Sequence, residues 1–129
     1  MQSIDEQIER VLESRLSVHI ATAVNDRPHV APVWFIYENG RVWFITGGKK
    51  VENIRKNPRV ALSIERYDRN GVDWAVQLLG TARIVTDEEK RKQFGERLGR
   101  KYDEKYATDG SGGELIAVDI GSSTAQWYD

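Results

Sequence analysis

The alternation of apolar and polar residues divides the first half of the chain into one helix and three strands. Apolar residues on one helical face predict a helix over 3–14. Strands rich in β-branched and aromatic residues are predicted over 18–24, 29–37 and 41–46. Asn39-Gly40 joins the last two, and Asn-Gly tolerates the positive φ angles of a type I′ hairpin turn. Both arms of this hairpin are apolar on both faces, so we expect it to be covered on both sides.

The second half continues with longer elements. A short helix is predicted over 51–56, and a charged helix of about 20 residues begins near Thr86. Gly80 interrupts the longest apolar run, as a bulge or a point of close approach would. Four further strands are predicted, at 60–64, 73–85, 115–120 and 125–128. Because hairpins outnumber alternating βα units, the order predicts a mainly β (α+β) fold, an antiparallel barrel of about six to seven strands with peripheral helices.

Composition narrows the class of protein. The chain has 129 residues, which fits one domain spanning 1–129, and 19 basic residues against 20 acidic ones give a net charge of −1. That balance disfavours a general nucleic-acid binder. The lack of cysteine excludes disulfides and thiolate metal sites. Apolar runs are too short to span a membrane and the N-terminus is acidic and polar, so we expect a cytoplasmic protein without a membrane partner.

The segment Thr46-Gly47-Gly48-Lys49-Lys50 is the most informative stretch for chemistry. A hydroxyl, flexible glycines and two ammonium groups precede a predicted helix, and helix N-termini favour bound phosphate. Between Lys49 and Arg59 there are five basic residues and one acidic residue. A solvated turn is the alternative interpretation. The sequence contains neither a dinucleotide-binding glycine motif nor a nucleophile elbow.

Several side chains near this loop suit a flat ring attached to a phosphate tail. The aromatic hairpin leads into the loop, and Pro32 fits an edge strand because it lacks an N–H group. Gln77 lies in an apolar strand, where its amide faces either a ligand or solvent. Trp127 is either a core residue or a stacking lid. His19 and His29 fit structural roles on strands.

The runs His19–Phe35, Asn39–Thr46 and Lys49–Leu62 together resemble the pyridoxamine 5′-phosphate oxidase-related family of flavin- and deazaflavin-dependent oxidoreductases. The resemblance is continuous over about residues 15–85. It implies a split β-barrel of the FMN-binding type and a homodimer with FMN at the subunit interface. It also implies a set of cofactor-binding residues, namely Pro32, Val33, Trp34, Ile45, Thr46, Gly47, Lys49, Lys50, Gln77 and Trp127.

Within that set, the resemblance places Pro32, Val33 and Trp34 along the isoalloxazine ring. Thr46 and the pair Lys49 and Lys50 would bind the phosphate. Electron transfer would belong to the cofactor, so we expect no catalytic side chain and no metal ion.

The resemblance leaves the substrate open. Enzymes that oxidise pyridoxamine phosphate carry a longer basic C-terminal segment, whereas this sequence ends at Asp129, so we do not expect that activity. We expect an FMN-dependent oxidoreductase with a small-molecule substrate. The alternatives are a deazaflavin-dependent reductase and a non-catalytic flavin or haem carrier or sensor. A single-strand nucleic-acid binder that uses the lysines with Trp34 and Trp43 is a further alternative, disfavoured by the overall acidity.

Overall fold

The computed structural model of the protein describes residues 6–14, 16–68, 71–103 and 113–128. Within these ranges the helices are α1 (Glu6–Leu12), α2 (Lys49–Lys56) and α3 (Glu88–Tyr102). The strands are β1 (Val18–Val24), β2 (Arg27–Val33), β3 (Ile36–Glu38), β4 (Arg41–Thr46), β5 (Arg59–Asp68), β6 (Gly71–Val85) and β7 (Glu114–Trp127). They form one antiparallel sheet in the order β2-β1-β5-β6-β7-β4-β3, which confirms the mainly β prediction of a split barrel with peripheral helices.

Two tight turns set the register of the first four strands. Asn25 and Asp26 have φ angles of 53° and 63°, and Asn39 and Gly40 have φ angles of 53° and 74°. Positive φ at both central residues is the requirement of a type I′ hairpin turn. The Asn39-Gly40 hairpin is therefore confirmed. The first turn is shorter than the sequence analysis predicted, because Arg27 already pairs with Val24 in the ladder.

The predicted single strand over 29–37 is wrong, because the chain leaves the ladder at Trp34 and Phe35. β2 ends at Val33 and β3 begins at Ile36, so these two residues connect one edge of the sheet to the other. Their side chains explain the break: Phe35 is fully buried in the core, and Trp34 stacks on a tyrosine of α3. Both residues favour strands by propensity, so the sequence pattern carries no signal of this corner.

The apolar residues form two layers. The larger cluster fills the inside of the curved sheet and includes Phe35, Phe44 and residues of α1 and α2. The smaller cluster lies between α3 and the outer face of the sheet, where Trp43 stacks on Phe94 at a centroid distance of 4.4 Å. The β3–β4 hairpin is therefore covered on both sides, as predicted. α3 begins after an Asp87 cap instead of Thr86, and the residues of the predicted helix beyond 103 lie outside the described residues.

The longest ladder joins β6 to β7, and it bends at one glycine. The register shifts between Leu79 and Gly80, and a Cβ atom on Gly80 would lie 2.5 Å from the carbonyl oxygen of Asp119. The predicted close approach at Gly80 is confirmed, and the extra residue of the bulge is Gly121 on β7, which the ladder skips between Ile120 and Ser122. β7 crosses this bend as one strand, so the two predicted terminal strands are a single element.

We expect Gly80→Ala to destabilise the protein by about 1–3 kcal/mol, because the added methyl group would overlap backbone that cannot move without breaking the ladder. Gly121→Ala is the matched control, since a Cβ atom there would lie 3.5 Å from the Leu79 carbonyl oxygen, an ordinary contact. Urea unfolding of both variants measures the difference. Equal stability of the two would contradict the close approach.

Candidate functional site

The glycine-lysine loop forms the start of α2. Gly48 caps the helix with φ 70° and ψ −144°, a conformation that favours glycine. α2 begins at Lys49, two residues before its predicted start, so both lysines lie in its first turn. Neighbouring helical residues point about 100° apart, so Lys49 and Lys50 face different directions. The positive end of the helix dipole adds to the charge of both ammonium groups.

Lys49 faces a polar cleft between α2 and the β1–β2 hairpin. The cleft has a volume of about 450 Å³. One wall of the cleft is a single helical face of α2, formed by Lys49 and by the residues three, four and seven positions after it. These α2 residues are Lys49, Glu52, Asn53 and Lys56, and β2 adds Arg27 and His29. Lys50 is half-buried and does not line this cleft.

The cleft is positively charged, and one of its lining residues is a histidine with an unpaired ring nitrogen. Lys49, Lys56 and Arg27 contribute three cationic groups, and Glu52 is the one carboxylate among the lining side chains. Nδ1 of His29 is buried and has no hydrogen-bond partner in the described part of the chain. The arrangement therefore suits a phosphate group.

A buried hydrogen bond fixes the wall of the cleft. The Asn53 side chain donates to the Thr22 hydroxyl on β1 at 3.0 Å, and both residues are 3% exposed. One turn later, the Asn57 side chain donates to the carbonyl oxygen of Ala23 at 2.9 Å. These contacts hold α2 at a fixed distance from the hairpin that carries Arg27 and His29.

The residues expected along the ring share a chain segment but point in different directions. Pro32 is exposed on the edge strand β2, whereas Val33 is buried in the larger core cluster. Trp34 is half-buried and stacks on Tyr102, with ring centroids 4.9 Å apart and planes 6° apart. Ile45 packs against the cluster beneath α3. A ring beside this segment would meet the Pro32 side chain and the free backbone edge of β2.

Gln77 and Trp127 lie away from the cleft within one chain. Gln77 pairs with Ser63 and Thr124, and this row continues across β1 to Pro32. Three strand spacings separate Gln77 from Pro32, roughly 14 Å. Trp127 is 47% exposed at the end of β7 opposite to Glu114, the residue that pairs with Thr46. The structure brings Lys49 to the β1–β2 hairpin, and leaves Gln77 and Trp127 on other surfaces.

Arg27 and His29 are cleft residues that the sequence analysis did not assign. Their signal in the sequence is that they flank Pro28: residues two apart on a strand point to the same face, so both side chains lie on one face of β2. Gly47 and Thr46 lie close to Gly113 instead of the cleft. The described residues contain no cluster of acidic and histidine side chains suited to a metal ion. None of the described helices is long and apolar enough to cross a membrane.

Comparison with known proteins identifies a family and solved structures that are similar to this chain. The family model described as pyridoxamine 5′-phosphate oxidase matches residues 4–124. No curated protein sequence matches the chain. Among solved structures, an F420 reductase is 27% identical with a TM-score of 0.73, covering 94% of this chain and 98% of its own.

Two more distant structures share the fold. A FAD-binding protein from Mesorhizobium loti is 18% identical with a TM-score of 0.76, and the alignment covers 92% of this chain and 89% of that one. HutZ, a haem storage protein from Vibrio cholerae, is 16% identical with a TM-score of 0.72, and the alignment covers 98% and 95%. Proteins named for different cofactors are therefore similar to this chain.

We expect Thr22→Val to destabilise the protein by about 1–3 kcal/mol, because it leaves the buried Asn53 amide without an acceptor. Asn53→Leu leaves the Thr22 hydroxyl unpaired and should also destabilise it. In the double variant both polar groups are absent, so its loss in free energy of unfolding should be smaller than the sum of the two. Additive losses in urea unfolding would contradict the coupling.

Proposed function

The chain belongs to the pyridoxamine 5′-phosphate oxidase family, and on this premise we propose that it is an FMN-dependent oxidoreductase with a small-molecule substrate. The observation that carries the proposal is the cationic cleft between α2 and the β1–β2 hairpin. It brings the side chains of Lys49, Arg27 and His29 together around one space of about 450 Å³. These groups suit the phosphate end of FMN.

In this proposal the chain binds and orients the cofactor. Lys49, Arg27 and His29 would hold the phosphate. The isoalloxazine ring would lie along the edge of β2 near Pro32, where backbone groups of an edge strand can hydrogen-bond its polar rim. Bound FMN supplies hydride or electron transfer, and the chain supplies no acid or base of its own.

A deazaflavin coenzyme is the second candidate. The F420 reductase is 27% identical to this chain over nearly its full length, which favours this alternative. Both cofactors carry a flat tricyclic ring and a phosphate, so the same cleft suits either. Parallel titrations with FMN and F420 separate the two candidates.

We also propose that the protein is a homodimer that joins through the outer face of its sheet. A row of small and apolar side chains crosses four strands on this face, consisting of Val30, Ala21, Ala61 and Leu79. Val30 is 64% exposed and Leu79 is 59% exposed, and their burial against a second copy would be favourable. Pro32 and Gln77 lie on the same face, so this dimer would enclose both expected cofactor contacts.

Lys49→Gln should raise the dissociation constant for FMN by about tenfold to a hundredfold, because it removes a charge-assisted contact to the phosphate. Lys50→Gln should have a smaller effect, since Lys50 does not line the cleft. Lys92→Gln, an exposed position on α3, is the control. Quenching of flavin fluorescence gives all four constants. Wild-type affinity in Lys49→Gln would place the phosphate elsewhere.

Leu79→Lys should convert the dimer into a monomer, because it places a charge in the proposed apolar interface. Lys92→Glu should stay dimeric. Sedimentation of the purified proteins distinguishes these states. A monomeric wild type, or a dimeric Leu79→Lys variant, would exclude this interface.

A further inference from the structure

The last turn of α3 contacts the chain at the corner between β2 and β3. Lys101 donates from Nζ to the carbonyl oxygen of Phe35 at 2.7 Å. The backbone N–H of Phe35 donates to Oη of Tyr102 at 3.2 Å, and Tyr102 in turn donates to the carbonyl oxygen of Leu16 at 2.9 Å. Two side chains of one helix therefore hold both backbone polar groups of a residue that belongs to no strand.

Ring contacts reinforce these hydrogen bonds. Tyr102 lies parallel to Trp34 at a centroid distance of 4.9 Å. The Lys101 ammonium group lies 4.0 Å from the ring centroid of Phe35 and 5.1 Å from that of Tyr102. A cation over an aromatic face is attracted to it, and more strongly where water is excluded. Both corner residues are thus held through side chain and backbone by the same turn.

Lys101 keeps its positive charge at neutral pH although its side chain is partly buried. Burial lowers the pKa of Lys101 to about 8, although the nearby carboxylate of Glu13 opposes this shift. An unfolded lysine keeps its proton to about pH 10.5, so the protonated side chain destabilises the native state at neutral pH. That destabilisation disappears as the pH rises from about 8 to 10.5. An apolar side chain would pack at this position without that cost, so packing alone does not explain a lysine here.

We propose that Lys101 and Tyr102 are positioning residues that fix the Trp34–Phe35 corner, and with it the end of β2 beside the cofactor ring. The link to the ring rests on the function proposed above. The β1 ladder ends at the pair Val18 and Val33, so the two residues after it are the part of this segment that the α3 contacts hold. A loose corner would free the end of β2 beside Pro32, which is three residues before Phe35.

Amide exchange measured by NMR on the purified protein without added flavin tests the anchor directly. Tyr102→Phe keeps the ring stacked on Trp34 and removes only the hydroxyl. It should lower the protection of the Phe35 amide at least tenfold while amides of β5 and β6 keep theirs. Lys101→Met removes the hydrogen bond to the Phe35 carbonyl oxygen and is measured in the same way. Lys92→Met, at an exposed position of α3, is its control. Unchanged protection at Phe35, or a uniform fall across all strands, would overturn the proposal.

The Phe35 carbonyl carbon gives a second readout, which reports the Lys101 hydrogen bond itself. In the wild type its chemical shift should titrate with a midpoint near pH 8, as Lys101 loses its proton. Lys101→Arg should hold the corner as the wild type does but show no such step. A step that persists in Lys101→Arg would overturn the assignment to Lys101.

Flavin binding then separates the anchor from the proposed function. Tyr102→Phe and Lys101→Met should each bind FMN at least fivefold more weakly, whereas Lys101→Arg should recover wild-type affinity. A variant that lowers the protection of the Phe35 amide but keeps wild-type FMN affinity would overturn the positioning role. A wild type that binds no FMN would overturn the proposed function and the link to the ring, whereas the exchange data would still decide the anchor.

Discussion

The close approach of Gly80 to the backbone of Asp119 shapes the whole sheet. β6 and β7 are the longest strands, and they are central in the sheet, with β2, β1 and β5 on one side and β4 and β3 on the other. A side chain at position 80 would push the two strands apart at their register shift. At this bend the long β6–β7 ladder changes register beside the larger core cluster. The other end of the sheet is fixed to α2 by the Asn53 and Asn57 side chains, which forms the cleft.

Local signals in the sequence predicted most elements and the Asn39-Gly40 turn, whereas the first turn was predicted too long. Asn39-Gly40 was found because it tolerates positive φ angles, and the close approach at Gly80 because glycine has no Cβ atom. The corner at Trp34 and Phe35 was missed because its cause is a distant partner. Tyr102 lies 67 residues from Phe35, and no local pattern records that contact. The start of α2 was placed late because Gly48 provides a backbone cap without a capping side chain.

The candidate site divides in the same way. Lys49 was identifiable because it follows glycines at a helix start, and the structure places it in a cationic cleft. Arg27 and His29 were not assigned, since their relevance comes from the fold that carries β2 to α2. Gln77 and Trp127 were grouped with the cleft by resemblance, yet the ladder places them on other surfaces of the chain. In the proposed dimer, a second copy would bring these separate surfaces together.

The central claim is that the cleft between α2 and the β1–β2 hairpin holds the phosphate of a flavin. The most direct test compares the dissociation constants of FMN and riboflavin, which share the ring and the ribityl chain and differ by the phosphate. The account predicts that FMN binds saturably and at least about tenfold more tightly, with the gap narrowing as salt increases. Equal affinities for the two compounds would contradict it, as would a failure of FMN to bind.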